Sequence, residues 1–154
     1  MDTATRPRLK PRRIGSPEEA VSLEVVRTAD TLARGIVHVL KAEDVSGTQY
    51  NVLRILRGAP EGLPCGEIAN RMITRDPDVT RLLDRLEKRG LISRCRENAD
   101  RRTVLTRITS DGLELLARLD GPIQDAHRAQ LGHMGPDRLQ ALTDLLRLAR
   151  SQVA

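Results

Sequence analysis

Asp100, Arg101 and Arg102 stand between two apolar runs, Leu91-Ile92 before them and Val104, Leu105 and Ile108 after. Short apolar runs across a polar tip predict a β-hairpin. An arginine on such a tip suits the narrow minor groove of A·T-rich duplex DNA, where negative potential is enhanced. Asp100, two residues before Arg102, is close enough to hold that guanidinium in one pose. Charged hairpin tips are commonly just solvated, so the neighbouring residues decide. Upstream, Asp78, Thr80, Arg81 and Arg85 lie off the apolar stripe formed by Val79, Leu82, Leu83 and Leu86. A short helix fits the major groove and reaches base edges with residues near its N-terminus. There Arg81 can form a bidentate pair with guanine, giving about 1–3 kcal/mol of discrimination. The competing reading pairs Arg81 and Arg85 with Asp78, Asp84 or Glu87 on an ordinary solvated helix. Arg71, Arg75, Arg94 and Arg96 complete the set as phosphate clamps, which fix register and not sequence.

The elements that must position these side chains are legible as capping signals and periodicity. Ser16, Pro17 and Glu19 announce a first helix with a capping box. Val21, Val25, Ala29, Leu32, Ile36 and Leu40 form one apolar line along it, and Val26, Ala33 and Val37 a second. A helix apolar on two sides requires two partners, its own core and another subunit. Ser46 to Gln49 is a second capping box, leading into Tyr50, Leu53 and Leu56 before Gly58-Ala59-Pro60 stops the helix. A short helix follows from about Cys65 to Met72. The next is predicted to start at Asp76 as N-cap with Pro77 in its first turn, and to close at Gly90. After the hairpin the helical period returns at Ser110. A Pro inside a helix removes a hydrogen bond and bends the axis, so Gly121-Pro122 predicts one kinked helix running to about Gly132. Gly135-Pro136 opens a last helix carrying Leu139, Leu142, Leu145, Leu146 and Ala149.

Helix, turn, helix and hairpin make a winged helix-turn-helix over residues 46–109. It is flanked by helical regions at 16–45 and 110–154 and preceded by a basic, disordered arm at 1–15. The fold class expected is therefore mainly α with a small β-hairpin wing. Surplus apolar surface on the flanking helices predicts a homodimer.

Composition agrees. Aromatic residues are 1% of the 154, with no Phe or Trp, so the core must be aliphatic and helical. Net charge is +5 and unevenly placed. Residues 65–109 hold eleven Lys/Arg against seven Asp/Glu, and residues 1–15 hold five against one. Basic charge confined to one module and a tail is the electrostatic footprint of nucleic-acid binding. No apolar run approaches the roughly 18 residues a membrane span needs. Two cysteines, Cys65 and Cys95, make no disulfide framework, which fits a reducing cytoplasm. His38, His127 and His133 lack metal-ligand spacing, so neither metal nor cofactor is expected. The chain has no Gly-rich phosphate loop, no Ser/His/Asp grouping and no paired carboxylates in an evident cleft, so an enzyme is the least supported class.

Three segments resemble the MarR family of transcription regulators. SGTQYNVLRIL (46–56) is similar to the family's second helix, VTRLLDRLEKRGLISR (79–94) to its recognition helix and wing entry, and ADRRTVLTRIT (99–109) to its wing. The resemblance runs from about Ser16 to Ala154. It implies a dimeric DNA-binding regulator, most commonly a repressor on a near-palindromic operator. It places Thr80 and Arg81 on DNA, inserts Arg102 with Asp100 as its orienting partner, and puts Arg101 on phosphate. Leu63-Pro64-Cys65-Gly66 departs from the Thr or Ser cap that often opens the family's third helix, which puts that helix boundary in doubt. The resemblance further implies a small, often phenolic, anion bound between dimer helices and DNA-binding lobe, here near His38, Tyr50, Leu53 and Arg54. A lone Tyr or His on such a helix is more often packing. Cys65 at a helix start and Cys95 between Arg94 and Arg96 allow a redox-responsive alternative, although both read first as ordinary small residues. A winged-helix adaptor without DNA contact is the other rival.

Overall fold

The computed structural model describes residues 15–97 and 100–152, with backbone alone at Glu97, Asp100 and Arg101. The expected basic arm lies outside the described residues, apart from Gly15. The elements run α1 (Pro17–Leu40), a 3₁₀ turn (Lys41–Glu43), α2 (Gly47–Arg57), β1 (Leu63–Pro64), α3 (Cys65–Arg71) and α4 (Val79–Lys88). There follow β2 (Ile92–Glu97), β3 (Asp100–Ile108), α5 (Ser110–Leu131), a 3₁₀ turn (Gly132–Met134) and α6 (Pro136–Arg150). This is the expected class, mainly helical with a small antiparallel sheet. The chain divides into two compact units, one ending at Ala33 and the other beginning at Arg34.

In the first unit, Ser16 accepts the Glu19 amide at 3.1 Å, as its capping role requires, while the Glu19 carboxylate takes the Gly15 amide at 2.8 Å. The valines beyond are exposed, with Val26 66% accessible. In the second unit the core is aliphatic. Val52, Leu53 and Leu56 of α2 meet Ile68 of α3, Leu82, Leu83 and Leu86 of α4, and Leu115, Leu116, Leu119 and Ile123 of α5. The box at Ser46 is complete, with its hydroxyl accepting from the Gln49 amide and Gln49 Oε1 accepting from the Ser46 amide. An Arg57–Asp120 ion pair at 2.9 Å ties α2 to α5, and the hydrogen bond that Arg57 donates to Asp120 raises the Arg57 pKa.

The sheet has a strand that the sequence reading omitted. Leu63 and Pro64 pair antiparallel with Thr106 and Leu105, so the order is β1-β3-β2. The two hairpin strands pair Ile92 with Ile108 through Arg96 with Val104, and the register then shifts at Glu97. The helix through Pro122 is continuous, and α6 opens at Gly135-Pro136 as expected. None of the α6 leucines is buried; Leu148 is 67% accessible.

One joint locks α4, the hairpin and α5 together. α4 ends in a Schellman motif: Gly90, in the left-handed region at φ 73°, donates to Glu87 O at 2.9 Å, and Leu91 donates to Leu86 O at 3.1 Å. Glycine takes that conformation without a Cβ penalty. The Thr109 hydroxyl then donates to Gly90 O at 2.6 Å and accepts from the Gly112 amide at 3.1 Å, capping α5. Gly112 lies so close to Leu91 O and Ile108 Cγ1 that a Cβ there would overlap both.

Candidate nucleic-acid interface

The start of α4 corrects one expectation. The sequence predicts Asp76 as the N-cap, with the helix spanning 76–89. The helix instead begins at Val79, with Asp78 as its N-cap accepting from the Arg81 amide at 3.0 Å. Asp76 accepts the Asp78 amide at 2.8 Å, a turn that precedes the cap. Both acids are engaged with backbone donors because the N-terminal amides of a helix lack internal partners. Asp78, a candidate base contact, thus has a structural task that accounts for its presence. Its second oxygen lies 3.6 Å from Arg81 Nε, and both side chains are exposed.

Burial of Leu82, Leu83 and Leu86 turns the other faces of α4 to solvent, and Thr80, Arg81, Arg85 and Lys88 are all exposed there. Arg85 makes no ion pair with any described residue, and the exposed contact of Arg81 with Asp78 is of the kind that contributes about 0–1 kcal/mol. Both guanidiniums can therefore turn to phosphate or base at small cost. An open cleft of about 360 Å³ lies between the starts of α2 and α4, lined by Ser46, Thr48, Arg81 and Arg85 among others. Ser46 and Thr48 were not singled out as binding candidates. Their capping box was plain in the sequence, but nothing local showed that α2 begins beside α4.

The wing is fastened to α4 by Arg94. Its Nη2 donates to Asp84 Oδ1 at 2.6 Å and Glu87 Oε1 at 2.9 Å, and its Nε donates to Glu87 Oε2 at 3.1 Å. The side chain is 23% exposed. Hydrogen bonds donated to Glu87 and then Asp84 push the Arg94 pKa up, while Arg94 holds the Glu87 carboxyl below its ordinary range. Arg94 was expected as a phosphate clamp; its guanidinium is already spanned by two carboxylates, so the structure gives it a tethering geometry. Arg71, expected in the same role, donates to Glu67 at 2.8 Å one turn away. Arg75, Arg96 and Arg102 are exposed, the last on β3 near the wing tip. The side chains of Asp100 and Arg101 lie outside the described residues.

The four effector candidates do not share an environment. Leu53 is fully buried in the core and presents no surface to a ligand. Tyr50 is 9% exposed, with the Arg54 guanidinium 5.8 Å from its ring centroid, and His38 is exposed on α1. Three open clefts surround α4, and none is lined by any of these four. Cys65 is half-buried and Cys95 exposed. Among the described residues no group of three or more His, Cys, Asp or Glu could hold a metal, and no helix is long and apolar enough to cross a membrane.

The family model for the MarR family matches residues 45–104, from the end of the first loop into the wing. The HTH-type transcriptional regulator FarR of Neisseria gonorrhoeae is 26% identical over 132 residues, covering 85% of this chain and 89% of that protein. A crystal structure of a MarR transcription factor from Planctomyces limnophilus is 37% identical, with a TM-score of 0.67 over 88% of this chain and 99% of that one. The transcriptional repressor CouR, solved bound to a 23-mer DNA duplex, is 27% identical with a TM-score of 0.78, covering 91% and 99%. A winged helix-turn-helix with an exposed cationic helix face and these relatives together assign the chain: it belongs to the MarR family of transcription regulators.

Proposed function

We propose that the protein is a dimeric, sequence-specific DNA-binding regulator that represses in the cytoplasm by occupying a near-palindromic operator. The observation that carries this reading is the solvent face of α4, where Thr80, Arg81 and Arg85 stand exposed with no strong competing partner for either arginine. Arg81 and Thr80 read base edges in the major groove, Arg102 enters the adjacent minor groove, and Arg75 and Arg96 set register on phosphate. Asp100 and Arg101 keep the orienting and phosphate roles that the resemblance implies. Asp78 and Arg94 support these elements, while Arg71 can add a phosphate contact at the small cost of its exposed pair with Glu67. CouR bound to duplex supports DNA as the partner.

Residues 46–109 form the DNA-reading lobe, and the helices of 16–45 and 110–154 supply dimer surface. Exposed Val21, Val25 and Val26 on α1 and Leu145 and Leu148 on α6 support a second copy as their partner. Two-fold symmetry then sets recognition helices on major grooves about 34 Å apart. Exposed His38 and Arg54 are the members of the effector set able to meet a small anion.

The test is a fluorescence-anisotropy titration on duplex from the gene's own upstream region, at several salt concentrations, against a scrambled duplex of equal length. Selective binding that falls steeply with salt is expected, because phosphate contacts release counterions. Arg102→Ala should weaken it by about 1–3 kcal/mol with the dimer intact. Equal, weak binding to both duplexes, repeated on sequences selected from random DNA, would favour a protein-interaction adaptor.

A further inference from the structure

At the far end of α4 from its cap, the exposed Arg89 reaches across to the chain that precedes α2. Its Nη1 donates to Asp44 O at 2.5 Å and its Nη2 to Glu43 O at 3.1 Å, 45 and 46 residues away in sequence. Those carbonyls are presented by the 3₁₀ turn that follows α1. Asp44 takes a left-handed conformation there, φ 52° and ψ 49°, with its amide on Lys41 O, and Val45 donates to Leu40 O. Carbonyls at the end of a helical turn lack internal N–H donors and attract a cation. The same turn grips a second arginine. The Glu43 carboxylate accepts Arg118 Nε at 3.0 Å and Nη2 at 3.1 Å, a two-pronged pair with α5. Glu43 is only 26% exposed. Such forked pairs fix orientation as well as distance.

From these bonds we infer that Arg89, Glu43 and Arg118 form a strut that sets the angle of the recognition helix against α5, and with it the half-site spacing a dimer accepts. This rests on the DNA-binding reading above. The buried leucines fix the rotation of α4 about its own axis. They leave its tilt to contacts at its ends, and the C-terminal end is where Arg89 acts. Arg89 and Arg118 are positioning residues; neither is asked to touch DNA. Without the strut, the two recognition helices of a dimer would keep their side chains and lose their fixed separation.

The experiment measures affinity of the full chain for its operator and for duplexes with the half-sites moved one base pair closer or further apart. Wild type is expected to reject both altered spacings by about tenfold or more, within the range of a single wrong base pair. Arg89→Gln and Arg118→Gln should each bind the native spacing several-fold more weakly while rejecting the altered spacings less. The reversed pair Glu43→Arg with Arg118→Glu should restore wild-type spacing selectivity in part, a recovery that general destabilisation would not produce. Thermal melts and sedimentation accompany each variant, and Arg118→Gln stands in should Arg89→Gln fail to fold. Unchanged spacing selectivity in folded, dimeric variants overturns the strut while leaving DNA binding in place. A wild type that prefers no duplex at all removes the DNA-binding reading itself.

Discussion

Arg94 and Arg96 look interchangeable in the sequence: two arginines flanking one cysteine on a predicted strand, on the same side by the two-residue period. The strand carries Arg96 about 6.6 Å further toward the wing tip, while Arg94 stays beside α4 and is taken up by Asp84 and Glu87. No local pattern distinguishes them, because the acids that do so come from the preceding helix. Removing the Arg94 side chain leaves those two carboxylates facing each other without a cation. Arg94→Ala should cost about 1 kcal/mol after solvent screening of partly exposed partners, read as a fall in the denaturation midpoint. The pair also gives the acid limb a sign. Glu87 is held below its ordinary value in the folded protein, so the pair's contribution is fully present above the unfolded carboxylate value of about 4.3. It is lost as pH falls through the lower folded value. Glu87→Gln should therefore flatten the drop in stability over that acid range, and an unchanged acid limb would place the titrating groups elsewhere.

At the scale of elements, capping boxes and periodicity located every long helix, including the one that runs through Pro122. What they could not fix was which of two aspartates in Asp76-Pro77-Asp78 caps α4, since either residue type serves and Pro77 is welcome in a first turn. The structure uses both in series. A two-residue strand such as β1 is too short for any alternation to show. It exists because β3 offers a free edge to Leu63-Pro64. The junction of α4, wing and α5 was equally hidden, although its parts are ordinary glycine and threonine signals. Gly112→Ala tests it. The added methyl would press on the backbone oxygen of Leu91 and on Ile108, and backbone cannot swing aside. A loss of about 1–3 kcal/mol is expected, whereas Gly121→Ala in the same helix, where a Cβ meets nothing nearby, should be neutral or stabilising. Calorimetry of the two variants side by side separates a packing constraint from a general dislike of substitution.

For the whole molecule, the apolar lines on α1 and α6 carry the prediction. A chain of 17.1 kDa should sediment as twice that mass, and its melting temperature should rise with protein concentration, as for any fold coupled to self-association. Val26→Glu with Leu148→Glu should shift the equilibrium toward single chains and weaken operator binding with it, since one recognition helix alone meets half a site. A concentration-independent melt at the mass of one chain would remove the symmetric operator from the proposal. These apolar lines, and their surplus over what one small core needs, were visible as helical periodicity; which residues stay exposed was not, because periodicity reports which residues share a face and not what covers it.

Tyr50 has a practical corollary. It is the sole aromatic side chain in the sequence, and it is 9% exposed beneath Arg54. Ultraviolet emission therefore comes from one ring inside the lobe that holds α2, and there is no indole background anywhere in the chain. A single tryptophan placed on the wing, at exposed Val104 for instance, would be the only group excited at the red edge of protein absorption. Its signal would follow the wing alone, while circular dichroism follows the helices. Coincident transitions from the two would mark one cooperative unit, and a wing that melts first would be seen directly.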